Sequence, residues 1–288
     1  MCPACMATAA VIAVKAASAG GLAALAAKKL APKTKTTSPD RTTQPLENPM
    51  NRPKIVSPDE WLTARKQLLA QEKELTRRRD ELAAERRRLP WVRVDKPYTF
   101  DGPLGRQTLS DLFAGRSQLI VYHFMFGPGW KEGCPSCSLA SDHFDGSLVH
   151  LAVRGVSFAA ISRAPYAEIR PFQERMGWRF HWVSSFGSDF NRDYHVSFTK
   201  EEVAAERCEY NYDTRWYPSD EGPGISVFYR DEEGAIFHTY SAYARGAEPI
   251  LGVYNFLDLV PKGRDEDGLP WPMAWVRHHD KYGKTTAA

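Results

Sequence analysis

A chain of 288 residues with 43% hydrophobic and 25% charged residues has a globular composition, long enough for one large domain with extensions or two small ones. Its formal net charge of +3 gives no reason to expect nucleic acid as a partner. The five cysteines (Cys2, Cys5, Cys134, Cys137 and Cys208) are odd in number, which excludes a fully paired disulfide framework and points to a reducing compartment, the cytoplasm.

Residues 1–30 are Ala-rich and lack the basic start of a signal peptide. Met6 to Ala27 is long enough to span a bilayer, but Lys15 near its centre costs roughly 2.5–3.5 kcal/mol on insertion scales. The segment is therefore a weak candidate for membrane contact. If it inserts, Lys28, Lys29, Lys33 and Lys35 hold the rest of the chain on the cytoplasmic side. Residues 31–56 read as a disordered linker rich in Pro, Thr, Ser and Lys, within which Met50 could serve as a start.

Ser57-Pro58-Asp59-Glu60 is a helix start with a capping box and a proline at the first helical position. A long charged helix is expected over 57–89. Leu68, Leu75, Leu82 and Leu89 recur every seven residues, but Glu72, Arg79 and Arg86 occupy the alternate heptad positions. The stripe is read as covered by the chain's own domain, with a homodimer through this helix as the alternative.

Beyond Pro90, the alternating Trp91–Val94 and Tyr98–Phe100 predict strands with a turn near Asp101-Gly102, and Leu109–Phe113 predicts a helical turn. Leu119–Phe126, nearly all apolar, predicts a buried central strand. Helices are expected at 137–153, at 166–176 with Gly177 as the stop, and at 248–259. Strands are expected at 156–161 and 180–183, and a hairpin at 224–229 and 235–240. A parallel βαβ unit followed by an antiparallel hairpin and a helix is the order of a thioredoxin-like α/β fold. The expected architecture is a central mixed sheet flanked by helices over 90–282, with a tail at 283–288.

Gly133-Cys134-Pro135-Ser136-Cys137 falls between the predicted central strand and the next helix. Cys134 is expected just before the helix N-terminus, where free N–H groups favour a thiolate, and Cys137 one turn inside. Pro135 suits the first turn. The Gly127–Lys131 loop is expected to expose Cys134, with Trp130 flanking the thiols.

The stretches FMFGPGWKEGCPSCS, GVSFAAISRAP, FGSDFNRDY and SVFYRDEEGAIFHTYSAYARG resemble a bacterial thioredoxin-like family catalogued as a domain of unknown function. The resemblance covers about Met50 to Tyr282 and implies the fold without a substrate. The wider thioredoxin group implies Cys134 as the attacking thiolate and Cys137 as the resolving thiol. It also implies a cis-proline before the hairpin, where Pro223 stands between Gly222 and Gly224. These residues describe a thiol–disulfide oxidoreductase acting on a protein or small-molecule disulfide and recharged by a cellular thiol reductant.

Two alternatives stay open: a copper or other metal chaperone using the same thiols with His123 or His143, and a non-catalytic binding protein on this fold. A peroxidase of this class calls for Thr or Ser three residues before the reactive cysteine, and position 131 is Lys. Tyr210–Tyr217, with Asp213 and Arg215, either lines a groove beside the thiols or covers the sheet edge. Cys208 reads as an ordinary thiol and His278-His279 as a surface pair. No Gly-rich phosphate loop, zincin helix or Ser-His-Asp signature is present, and no cofactor is expected.

Overall fold

The computed structural model describes residues 53–283. Expectations for residues 1–30, for most of the 31–56 linker, for Cys2 and Cys5 and for the last residues of the tail lie outside them. The described chain divides into two units, one ending at Arg87 and one running from Arg88.

The first unit is helix α1 (Pro58–Arg86). Its start is as expected: the Glu60 amide donates to Ser57 Oγ at 3.3 Å, and the Glu60 carboxylate accepts from the Ser57 amide at 3.0 Å. No residue of α1 is buried, and Leu68, Leu75 and Leu82 are all at least half exposed.

The second unit holds ten strands and six helices among its described residues. In chain order these are β1 (Val92–Arg93), β2 (Thr99–Gly102), β3 (Gly105–Thr108), β4 (Gln118–His123), α2 (Pro135–Ser141), α3 (Asp145–Val153), β5 (Val156–Ser162), α4 (Tyr166–Met176) and β6 (His181–Ser184). There follow α5 (Phe190–Asp193), α6 (Lys200–Ala204), β7 (Cys208–Tyr210), β8 (Asp213–Arg215), β9 (Gly224–Arg230), β10 (Ile236–Tyr243) and α7 (Gly252–Leu257).

Eight strands form one mixed sheet in the order β1-β10-β9-β4-β5-β6-β2-β3, and β7-β8 is a separate ribbon. β4 runs parallel to β5 and antiparallel to β9, and β9 pairs with β10 as a hairpin. A parallel β-α-β unit joined edgewise to an antiparallel hairpin is the thioredoxin-like arrangement, and it is the fold of this protein. β4 lies inside the sheet, so both of its edges are paired, and its side chains enter a core on each face. Leu119 and Val121 enter one core with Phe113, Val183, Phe190 and Phe228. Tyr122 enters the opposite core with Phe144, Phe172, Trp178, Phe180 and Trp182, and this is the core that contains Cys134 and Cys137.

The sequence misplaces three boundaries. The expected helix 137–153 is two helices, because Asp142 and Asp145 are drawn into tertiary bonds. Asp142 accepts from Trp178 Nε1 at 2.8 Å, and Asp145 accepts from the Arg179 amide at 2.8 Å. The helix expected at 248–259 is a 3₁₀ turn (Ala244–Ile250) containing Pro249, followed by α7. The turn expected near Asp101-Gly102 falls between Gly102 and Gly105. Among the described residues, no helix is long and apolar enough to cross a membrane.

Candidate functional site

Cys134 is the N-cap of α2, in a non-helical conformation with φ −58° and ψ 128°, and Pro135 takes the first helical position. Three backbone constraints hold it there. The Cys134 amide donates to the Met125 carbonyl at 3.0 Å, tying the loop back to the strand it left. The Cys134 carbonyl accepts the Ser138 amide and the Ser138 hydroxyl, both at 2.9 Å. A Cβ on Gly133 would stand 2.5 Å from Phe124 and 2.8 Å from Phe172, so this approach requires glycine.

Cys137 sits one turn deeper, as the spacing requires. α2 has only seven residues, so its contribution is the free N–H groups of its first turn more than a long macrodipole. Cys134 and Cys137 are both buried, each 2% exposed. The expectation of an exposed Cys134 is therefore corrected: the thiol is buried in the core that holds Phe124, Phe172 and Trp182. Gly127 packs so tightly against Trp130 that a Cβ would lie 2.8 Å from the indole nitrogen.

Access to the thiols is through two cavities. The larger, about 710 Å³, is lined by Trp130, Lys131, Cys134, Pro135, Lys200, Asp220 and His278, among others. The smaller, about 260 Å³, is lined by Cys134, Ser136, Cys137, Tyr122, Tyr210, Tyr217 and Pro223, among others. Thus Trp130, Pro135 and Pro223, all singled out in the sequence, stand around Cys134, on two sides of it.

The pairing of His123 with Gly224 across β4 and β9 brings Pro223 to this end of the sheet. The expected cis bond is not present; every peptide bond of the described residues is trans. The flanking glycines have a packing reason: a Cβ at Gly222 would be 2.9 Å from Tyr210, and one at Gly224 would be 2.7 Å from Tyr243. The Pro223 carbonyl accepts the Tyr210 hydroxyl at 2.7 Å. Glu221 anchors the same loop. It is almost fully buried, pairs with Arg163 and accepts from Ser197 Oγ at 2.8 Å. Burial pushes its carboxyl up to about 7, against the opposing pull of Arg163.

The expected surface pair is split: His279 is exposed, whereas His278 is not. It is 3% exposed, and its Nε2 donates to the Gly133 carbonyl at 2.9 Å, next to Cys134. A ring nitrogen facing a carbonyl must carry its proton, which leaves Nδ1, 3.6 Å from Glu132, as the site of any further protonation. Burial lowers the His278 pKa. Ion pairs hold the segment around it: Lys281 to Glu132 at 2.6 Å, Arg175 to Glu132 at 2.5 Å, and Arg175 to Asp280 at 3.1 Å. The Lys281 bond first, then Arg175, holds the Glu132 carboxyl down at about 2.

Other sequence candidates lie apart. His123 is buried on the opposite face of β4, stacked on Tyr194 and bonded through Nε2 to Ser226 Oγ at 2.8 Å. His143 is half-buried and packs against Gly252. Among the described residues, no three His, Cys, Asp or Glu side chains come together as a metal site. Cys208 is buried, and burial raises its thiol pKa. In the aromatic loop, Tyr210 and Tyr217 are buried beside the thiols, whereas Asp213 is exposed and Arg215 half-buried on the β7-β8 ribbon.

The protein has structural likeness to peroxidoxin BcpB from Mycobacterium tuberculosis, at 14% identity and TM-score 0.37 over 57% of this chain and 94% of that one. A protein assigned as thiol:disulfide interchange protein DsbE from Chlorobium tepidum is similar at 12% identity and TM-score 0.37, over 58% and 94% of the two chains. No activity is carried across at these values. A search of curated proteins gives no match. Residues 50–282 match the model of a family described as bacterial protein of unknown function (DUF899). With most of its length inside that match, the chain belongs to the DUF899 family.

Proposed function

We propose that this protein is a thiol–disulfide oxidoreductase working through Cys134 and Cys137, in a reducing compartment and recharged by a cellular thiol reductant. The observation that carries the reading is that the two thiols border one cavity, with Cys134 at the helix cap and Cys137 one turn in. In this reaction the Cys134 thiolate attacks a substrate disulfide, and Cys137 resolves the mixed disulfide by attacking the Cys134 sulfur.

Replacing the resolving thiol should stop the reaction halfway. Cys137→Ser protein, reduced and mixed with a disulfide, should accumulate a covalent adduct at Cys134 that dithiothreitol releases, detectable by intact mass. Cys134→Ser should give none. Equal adduct formation in both variants, or in neither, contradicts the assignment of roles.

A further inference from the structure

Cys134 borders both cavities, whereas Cys137 and Ser136 border only the smaller of the two. Attack by Cys137 expels the leaving sulfur in line, from the far side of the Cys134 sulfur, so the substrate needs room beside Cys134, and the smaller cavity is the one of the two that also reaches Cys137. At about 260 Å³ this cavity lies just below the roughly 300–1,000 Å³ typical of drug-sized pockets. Its wall beside the sulfurs is apolar or aromatic, with Tyr122, Met125, Tyr217, Ile250 and Leu251.

The charged residues at its rim already have partners. Arg245 bonds Glu248 at 2.9 Å. Arg264 pairs with Glu248, bonds Asp258 at 2.7 Å and lies 4.3 Å over the Tyr254 ring. Glu266 Oε1 accepts from the Tyr254 hydroxyl at 2.7 Å, the Met273 amide at 2.9 Å and Trp275 Nε1 at 2.7 Å. A charged ligand entering here would lose hydration and could recover it only by breaking these pairs, whereas an uncharged apolar one loses little. Because Cys134 is 2% exposed, a disulfide on the surface of a folded protein meets no exposed sulfur, but a molecule that fits the cavity does.

We propose that the smaller cavity is the substrate pocket and that it takes a small, uncharged, predominantly apolar disulfide. This rests on the thiol–disulfide reading above. The Cys134 thiolate bonds one substrate sulfur and the substrate S–S bond breaks, releasing one thiolate, which takes up the proton Cys134 lost. Cys137, as it gives up its own proton, bonds the Cys134 sulfur and releases the second thiol. The substrate gains two electrons and two protons, and the protein is left with a Cys134–Cys137 disulfide. A dithiol reductant returns it to the reduced state by becoming a disulfide itself.

The test compares di-n-propyl disulfide with oxidised glutathione, which is charged and much larger. Binding is measured by calorimetry on the Cys134→Ser/Cys137→Ser protein, where no chemistry follows, and oxidation of the wild-type pair by mass labelling. Saturable binding of di-n-propyl disulfide should be at least about tenfold tighter than that of oxidised glutathione, a difference of roughly 1.4 kcal/mol. Ile250→Trp, which fills the cavity, should abolish this binding, and Ile250→Val should retain it. If oxidised glutathione binds as well or better, or if di-n-propyl disulfide does not bind while the wild-type pair still cycles with dithiothreitol, the pocket assignment is overturned and the redox reading stands. A pair that cycles with no disulfide and no dithiol overturns both.

Discussion

The bond from His278 to the Gly133 carbonyl links the far end of the chain to the residue before the proposed nucleophile. Removing it in His278→Ala leaves a buried carbonyl without its donor, at a cost of about 1–3 kcal/mol in urea unfolding. The loosened loop should also speed alkylation of Cys134 by iodoacetamide. His278→Gln can still offer an N–H and should restore slow alkylation; equal rates in Ala, Gln and wild type would contradict a positioning role. The thiols themselves were legible in the sequence, because C-x-x-C spacing after an apolar strand fixes one cysteine at a helix cap and the other a turn inside. His278 was not legible: its partner is 145 positions away, and a His-His pair near a chain end carries no local signal. The aromatic density of Trp271, Trp275 and Tyr282 was the one hint that this stretch packs. Burial of Cys134 was likewise hidden, because the core around it is assembled from residues far apart in the chain, among them Phe172, Trp182 and Tyr217.

Elements whose signals are local match their expected places. Gly177 ends α4 in a left-handed conformation, φ 67°, as a glycine stop requires. The 224–243 hairpin and the central strand follow from β-prone runs and turn chemistry. The capping box of α1 gives a direct prediction: Ser57→Ala should lose about 1 kcal/mol of local helix stability, read as faster amide exchange in the first turn. Unchanged exchange would mean that the cap contributes nothing. Elements set by tertiary contacts diverge, as in the break between α2 and α3 and in the β7-β8 ribbon. The glycines around Pro223 belong here too. Gly224→Ala would drive a Cβ into Tyr243 and should destabilise by about 1–3 kcal/mol, checked by the urea midpoint. A wild-type midpoint would show that Tyr243 yields without cost.

Across the whole molecule, burial sets the pH response. It pushes His123 down to about 3 and lowers His181, His238 and His278. Each takes up a proton more readily unfolded than folded, so the stability these groups contribute is present above about 6.5 and lost as pH falls below it. Glu221 has the opposite sign. Its folded pKa, about 7, lies above the ordinary 4.5, so its contribution grows as pH falls through that window. Four histidines against one glutamate predict a net fall in the urea midpoint below pH 6.5, steeper in Glu221→Gln; a midpoint that rises there would contradict this balance. The same sheet that buries His123 on one face carries the thiols on the other.

The most direct test of the central claim is a redox titration of the full chain in graded dithiothreitol buffers, with free thiols mass-labelled and peptides mapped at each potential. The account predicts a single two-electron transition in which Cys134 and Cys137 lose labelling together and appear as one linked peptide pair, with Cys208 labelled independently after denaturation. Cysteines 134 and 137 that oxidise separately, or never link under oxidising conditions, would contradict it.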